Sequence, residues 1–226
     1  MLLYYITDRS LFPGDEASRR RHLLRNIAQA VLGGVDYVQL REKDLSTHHL
    51  ETLTREAVAI VQQLRAGNKK LRTSLLVNSR TDIALACGAD GVHLRSADIA
   101  VNEVRRIWAH SDPAVMNATV GVSCHTPSEV ANAVVQGADF AVFGPIFEKA
   151  QSPVAGAGAL REACRESIPV LALGGVTLEN AGACIKAGAA GIAGIRLFQQ
   201  NEIGKVVAAL RPQPSARGTW LTAEDP

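Results

Sequence analysis

The sequence predicts an α/β fold, a single (βα)8 TIM barrel, and two observations carry that prediction. The first is an internal repeat. Gly34-Val35-Asp36-Tyr37-Val38-Gln39-Leu40 is matched by Gly88-Ala89-Asp90-Gly91-Val92-His93-Leu94 and by Gly137-Ala138-Asp139-Phe140-Ala141-Val142-Phe143. It returns as Gly188-Ala189-Ala190-Gly191-Ile192-Ala193-Gly194, with the leading glycines 54, 49 and 51 residues apart. A fixed period of this kind means one supersecondary unit used repeatedly. The second observation is that four more apolar runs lie between these: Leu3–Thr7, Ser74–Asn78, Thr119–Ser123 and Pro169–Gly174. Nearly continuous apolar runs are what parallel strands covered on both faces require. Eight strands alternating with helical segments in 226 residues match a closed parallel barrel in length and pattern. An open doubly wound sheet is the weaker alternative, because no GxGxxG turn follows the first strand.

The elements follow in order. Met1–Ile6 is apolar but too short, and lacks the basic flank, for a secretory leader; it runs into Thr7-Asp8-Arg9. Helical spacing then spans Ser18–Leu32, in which Arg19-Arg20-Arg21 reads as a solvated face. His48–Leu64, Val101–Trp108, Ser128–Gln136 and Leu178–Ala187 carry the same spacing. Each of the four repeat glycines closes a helix, since glycine takes the left-handed conformation without a Cβ clash. The apolar run after it is the next strand. The barrel domain is expected over residues 1–210, with residues 211–226 as a tail rich in Pro and Gly on the surface.

Composition excludes several classes. A formal net charge of +2 with scattered Lys and Arg argues against a nucleic-acid partner. No apolar run approaches the roughly 18 residues of a membrane span. Cys87, Cys124, Cys164 and Cys184 form no CxxC pair and fall in apolar stretches, so free thiols in a reducing, cytoplasmic setting are expected. Whether the chain forms a homo-oligomer is left open.

Barrel chemistry lies at the C-terminal ends of the strands. Two clusters there point to phosphorylated small-molecule substrates. Gly174-Gly175 after the seventh strand, with Ile195-Arg196 after the eighth, stand where barrels bind phosphate through backbone N–H groups. Arg41 and Lys43, flanking Glu42 after the second strand, are suited to a second anion such as a diphosphate. Asp98 is a candidate Mg2+ ligand or a helix N-cap. Ser123 and His125 end the fifth strand, and His125 is a candidate acid/base. His93, within the fourth strand, is expected to pack inside the barrel.

At these residues the chain resembles the thiamin phosphate synthase family, which includes the TenI-type thiazole tautomerases. The resemblance covers about residues 3–200. It rests on Tyr5-Ile6-Thr7-Asp8-Arg9, Val38-Gln39-Leu40-Arg41-Glu42-Lys43, Asn78 with Arg80-Thr81-Asp82, Gly121-Val122-Ser123 with His125-Thr126, Phe143-Gly144-Pro145-Ile146-Phe147 and Leu173-Gly174-Gly175-Val176. It implies that hydroxymethylpyrimidine diphosphate and thiazole phosphate are joined to thiamin phosphate with release of diphosphate. It further implies that Gln39, Arg41, Lys43, Asn78 and Ser123 hold the pyrimidine and diphosphate, that Asp98 binds Mg2+, and that Gly175, Ile195 and position 196 hold the thiazole phosphate. Lys43, Ser123 and His125 are the implied catalytic group. The chain departs from the synthase pattern at three places. Ser79 stands where synthases carry an Asp, Glu148–Pro153 replaces a Thr- and Lys-containing loop, and Arg196 replaces a Ser. The departures leave a thiazole tautomerase, or a catalytically weak thiazole phosphate-binding relative, as alternatives.

Overall fold

The computed structural model describes residues 1–111, 118–147 and 154–211. The strands are β1 (Leu2–Ile6), β2 (Tyr37–Leu40), β3 (Ser74–Asn78), β4 (Gly91–Leu94), β5 (Thr119–Cys124), β6 (Phe140–Phe143), β7 (Val170–Ala172) and β8 (Gly191–Gly194). They pair in sequence order, each parallel to the next, and β8 closes on β1 through Leu3–Ile192 and Tyr5–Gly194. The closed (βα)8 barrel is therefore the fold. The altered loop Glu148–Pro153, and the tail apart from Arg211, lie outside the described residues.

The helices are α1 (Glu16–Leu32), α2 (Thr47–Gly67), α3 (Thr81–Cys87), α4 (Val101–Ser111), α5 (Pro127–Val135), α6 (Gly156–Ala163), α7 (Ala181–Lys186), α8 (Arg196–Gln199) and α9 (Ile203–Leu210). Local chemistry sets their starts. Asp15 accepts from Ser18 N, Ser46 from His49 N and Thr126 from Glu129 N, each satisfying an orphan first-turn amide. The helix expected over Leu178–Ala187 begins at Ala181 instead. Asn180 accepts from Thr177 N at 2.8 Å and donates to Gly175 O at 2.9 Å, which closes Thr177–Asn180 into a turn.

The repeat has a physical reason. Gly34, Gly88, Gly137 and Gly188 all sit at positive φ (76°, 69°, 81° and 106°), turning the chain from helix to strand. Two residues on, Asp36 accepts from Leu3 N at 2.7 Å, Asp90 from Leu75 N at 2.8 Å and Asp139 from Val120 N at 2.6 Å. Each carboxylate thus latches the start of an odd-numbered neighbouring strand. Arg211, Arg65 and Arg105 pair with Asp36, Asp90 and Asp139 in turn. The fourth repeat has Ala190 in place of the aspartate.

Outward strand residues such as Leu3, Val38, Val77 and Val120 pack under the helices. Inward residues fill the barrel. Tyr37 stacks on Phe140 with ring centroids 4.6 Å apart, and Tyr4 meets Phe140 edge-on at 5.4 Å. Gly121 is required beside them, because a Cβ there would fall 2.4 Å from the Phe140 ring. These rings close the barrel at its waist. Cys87, Cys124, Cys164 and Cys184 are free thiols, as expected. Arg20 pairs with Glu56, and Arg19 and Arg21 bond to neighbours on their own segment, so the basic run is an ordinary helix face.

Candidate active site

Above the aromatic plug lies a cavity of about 1020 Å³ at the C-terminal mouth. Every candidate residue except Asp98 lines it.

The β2 end presents two cations through strand alternation. Glu42 turns away from the cavity, where burial pushes its carboxyl up while Thr7 Oγ1 at 2.6 Å, Arg9 N at 2.9 Å and Arg9 Nη1 at 3.2 Å donate to it. Arg9 is itself buried and also pairs with Glu16 and Asp44. Arg41 and Lys43, one residue either side, project into the cavity, and among the described residues neither has an ion-pair partner. The Arg41 guanidinium, more than partial burial or Arg95, holds the Lys43 ammonium below its ordinary range. Uncompensated cations of this kind make an attractive field for an anion.

A hydrogen-bond chain crosses the ends of β2, β3 and β4. Gln39, only 2% exposed, donates Nε2 to Asn78 Oδ1 at 2.9 Å, and Asn78 Nδ2 donates to Ser79 Oγ at 3.1 Å. Arg95 Nε donates to the same hydroxyl at 2.9 Å. Its Nη2 donates to Asp98 Oδ1 at 2.9 Å, and its backbone N–H to Asp98 Oδ2 at 2.7 Å. Asp98 is therefore a clasp on Arg95, set behind the cavity wall, and its carboxylate accepts from Arg95 rather than from α4 amides. Ser79 holds φ at +60°, which is costly for a residue with a Cβ and fixes its hydroxyl between Asn78 and Arg95.

On β5, Ser123 Oγ lies 2.8 Å from His93 Nε2. His93 does pack in the barrel, but it also reaches the cavity floor. Burial drives its pKa down to about 3, so near neutrality an uncharged ring positions Ser123. Sequence reading missed this pair; the signal for it is that His93 and Ser123 face the same way on adjacent strands. His125 Nδ1 lies 2.6 Å from Gly144 O. A carbonyl only accepts, so Nδ1 carries a proton and Nε2 is the ring nitrogen left to exchange one. Burial pushes the Cys124 thiol up to about 12, which removes it as a nucleophile.

The fourth wall comes from β7 and β8. Gly174 and Gly175 hold φ at +95° and +66°. A Cβ on Gly174 would meet Pro145 at 2.5 Å, and one on Gly175 would meet Phe147 at 2.8 Å. Side chains are thus excluded where the chain curls over the cavity. Ile195 and Arg196 face the glycines from the turn into α8, and Arg196 is exposed.

Fold and site together define the class: a (βα)8 barrel whose mouth is walled by cations on one side and bare glycine backbone on the other. Within that class, the chain belongs to the thiamine monophosphate synthase family, whose profile matches residues 3–198. A provisionally named thiamine-phosphate synthase 2 of Aquifex aeolicus is 40% identical over 200 residues, covering 87% of this chain and 96% of that one. The thiamine-phosphate synthase of Methanoregula boonei is 38% identical over 197 residues, covering 84% and 82%. The solved thiamine phosphate pyrophosphorylase of Pyrococcus furiosus superposes with a TM-score of 0.74 at 28% identity, over 92% of this chain and 93% of that one. Among the described residues, no helix is long and apolar enough to cross a membrane.

Proposed function

We propose that the chain is a thiamin phosphate synthase with its catalytic domain over residues 1–210 and a tail over 211–226. One observation carries this reading. A single cavity reaches both the Arg41–Lys43 wall and the Gly174–Gly175 wall, so two phosphorylated substrates can lie head to head within it.

Hydroxymethylpyrimidine diphosphate places its diphosphate against Arg41, Lys43 and Ser123, and its ring beside Gln39 and Asn78. Thiazole phosphate places its phosphate against Gly174, Gly175, Ile195 and Arg196. The bond from the pyrimidine methylene to diphosphate breaks with its electron pair leaving on oxygen. The thiazole nitrogen lone pair forms the new C–N bond, and no proton is gained or lost. Positive charge grows on the methylene while negative charge grows on the leaving group. Cations fixed in advance lower that barrier, because they need no reorganisation as the charge develops. Lys43 faces the leaving oxygens, and Ser123, held by neutral His93, supplies a hydroxyl to the same group.

The resemblance also implies Mg2+. That ion takes an octahedron of oxygens. At the Arg95 corner the donors are one carboxylate, Asp98, set behind the wall and already clasped to Arg95, and the neutral hydroxyl of Ser79. Among the described residues, no three His, Cys, Asp or Glu side chains stand together as a metal cluster. As it stands the donor set does not fit Mg2+, and no step here runs through it.

The test is direct. Purified protein incubated with both substrates should form thiamin phosphate and diphosphate in equal amounts. No thiamin phosphate, with or without Mg2+, would overturn the synthase. A second reading rests on His125, whose Nδ1–H is anchored on Gly144 O and whose Nε2 is left to move a proton at a thiazole carbon. Consumption of the carboxylated thiazole tautomer, lost in His125→Ala, would establish the tautomerase in its place.

A further inference from the structure

We propose that the guanidinium of Arg95 is the fixed cation of the diphosphate subsite, standing where a divalent metal would otherwise be held. The inference rests on the placing of a diphosphate at the Arg41–Lys43 wall. It concerns what neutralises that group.

The geometry is that of a mounted cation. Arg95 is held by Ser79 Oγ at 2.9 Å and by Asp98 Oδ1 at 2.9 Å, with a longer contact from Nε to Asp98 Oδ2 at 3.4 Å. Asp98 is itself locked, because its Oδ2 accepts the Arg95 backbone N–H. These contacts use the Nε–H and one Nη2–H. Among the described residues the N–H groups of Nη1 have no partner, and the side chain, 56% exposed, lines the cavity. A planar fork with spare donors matches the oxygens of a diphosphate. Ser79 adds a second sign of construction. Its left-handed backbone is held by a hydrogen bond from Ser79 N to His93 O at 2.9 Å, and it sets the hydroxyl against Arg95.

Charge makes the same point. Two carboxylates around a dication sum to zero. A neutral serine, one carboxylate and one guanidinium also sum to zero. The wall therefore reaches the metal site's net charge without a metal, and offers an anion a cation that never dissociates. Arg41 and Lys43 stand on the same side, and Lys43 feels Arg95, since that guanidinium helps hold its ammonium low. The carboxylates bordering the cavity are Asp8, which accepts from Ser10, and Glu179, on the opposite wall. A metal on Asp98 would compete with the Arg95 guanidinium and backbone N–H for the same two carboxylate oxygens.

The test is titration calorimetry with inorganic diphosphate, in chelator and in excess Mg2+. Wild-type protein should bind diphosphate in chelator, with affinity within about threefold of that in Mg2+. Arg95→Gln should weaken binding in chelator by about tenfold or more, the loss expected for a charge-assisted contact, and Arg95→Lys should fall between. The double variant S79D/R95G should bind diphosphate only with Mg2+. Binding of wild type that requires Mg2+, no binding in either medium, or Arg95→Gln binding like wild type would each overturn the proposal. The synthase reading is judged separately. Thiamin phosphate formed only with Mg2+ would leave that reading standing and remove the role of Arg95. Arg95-dependent diphosphate binding in chelator, with no thiamin phosphate formed, would do the reverse.

Discussion

At the scale of single residues, the site is built by neighbours that commit each functional group to one state. Gly144 O fixes which nitrogen of His125 carries the proton, and Glu42 turns away from the cavity to Arg9, so that among the described residues Arg41 and Lys43 stay unpaired. His93 is the clearest case. Its folded pKa of about 3 lies below the value near 6.5 of a free imidazole, so between those values the unfolded chain binds the extra proton. Stability attributable to His93 is therefore complete above about pH 6.5 and is lost as pH falls toward 3, at up to about 1.4 kcal/mol per pH unit. Denaturant midpoints measured from pH 7 to pH 4 should fall for wild type and fall less for His93→Gln. Parallel acid limbs would show that His93 does not titrate this way. The variant should also slow any reaction that uses Ser123, because the hydroxyl loses its fixed partner.

At the scale of elements, the two ends of the barrel do different jobs. On the N-terminal face, each Gly-x-Asp turn satisfies a strand amide that otherwise lacks a partner at the sheet's rim. Asp90→Ala would strand the Leu75 amide and unpair Arg65, costing about 2 kcal/mol. Thermal melting should register that cost while diphosphate affinity stays unchanged; a loss of affinity would mean that the two faces are coupled. On the C-terminal face, the β7–α7 turn needs bare backbone. Gly175→Asp adds a Cβ that meets Phe147 and places negative charge beside the thiazole phosphate subsite. Calorimetry should show thiazole phosphate binding abolished and inorganic diphosphate binding retained. Unimpaired thiazole phosphate binding would remove Gly175 from that subsite.

At the scale of the whole molecule, the barrel was legible in the sequence because its strands are buried on both faces and its repeat glycines recur where helices must stop. Short elements were not. α3, α6 and α8 are too brief to show a helical period, and the turn before α7 is set by the Asn180 side chain, which no periodicity reports. The cavity wall was readable residue by residue, since barrel strand ends are known from the pattern alone. The relations across it were not. Ser79 reads as a missing carboxylate, and its meaning appears only when β3 and β4 bring Arg95, sixteen positions on, against its hydroxyl. Asp98 reads as a ligand in sequence and stands in space as a clasp. The repeat carries one more consequence. Asp36, Asp90 and Asp139 secure β1, β3 and β5 with a carboxylate, while Ala190 gives β7 its backbone N–H, to Val170 O, and no side-chain acceptor. A hoop with one unfastened stave opens there first. Deuterium uptake under native conditions should therefore begin at the Val170 amide, ahead of Leu3, Leu75 and Val120, so that the seam through which the closed ring breathes lies directly beneath the glycine turn that covers its mouth.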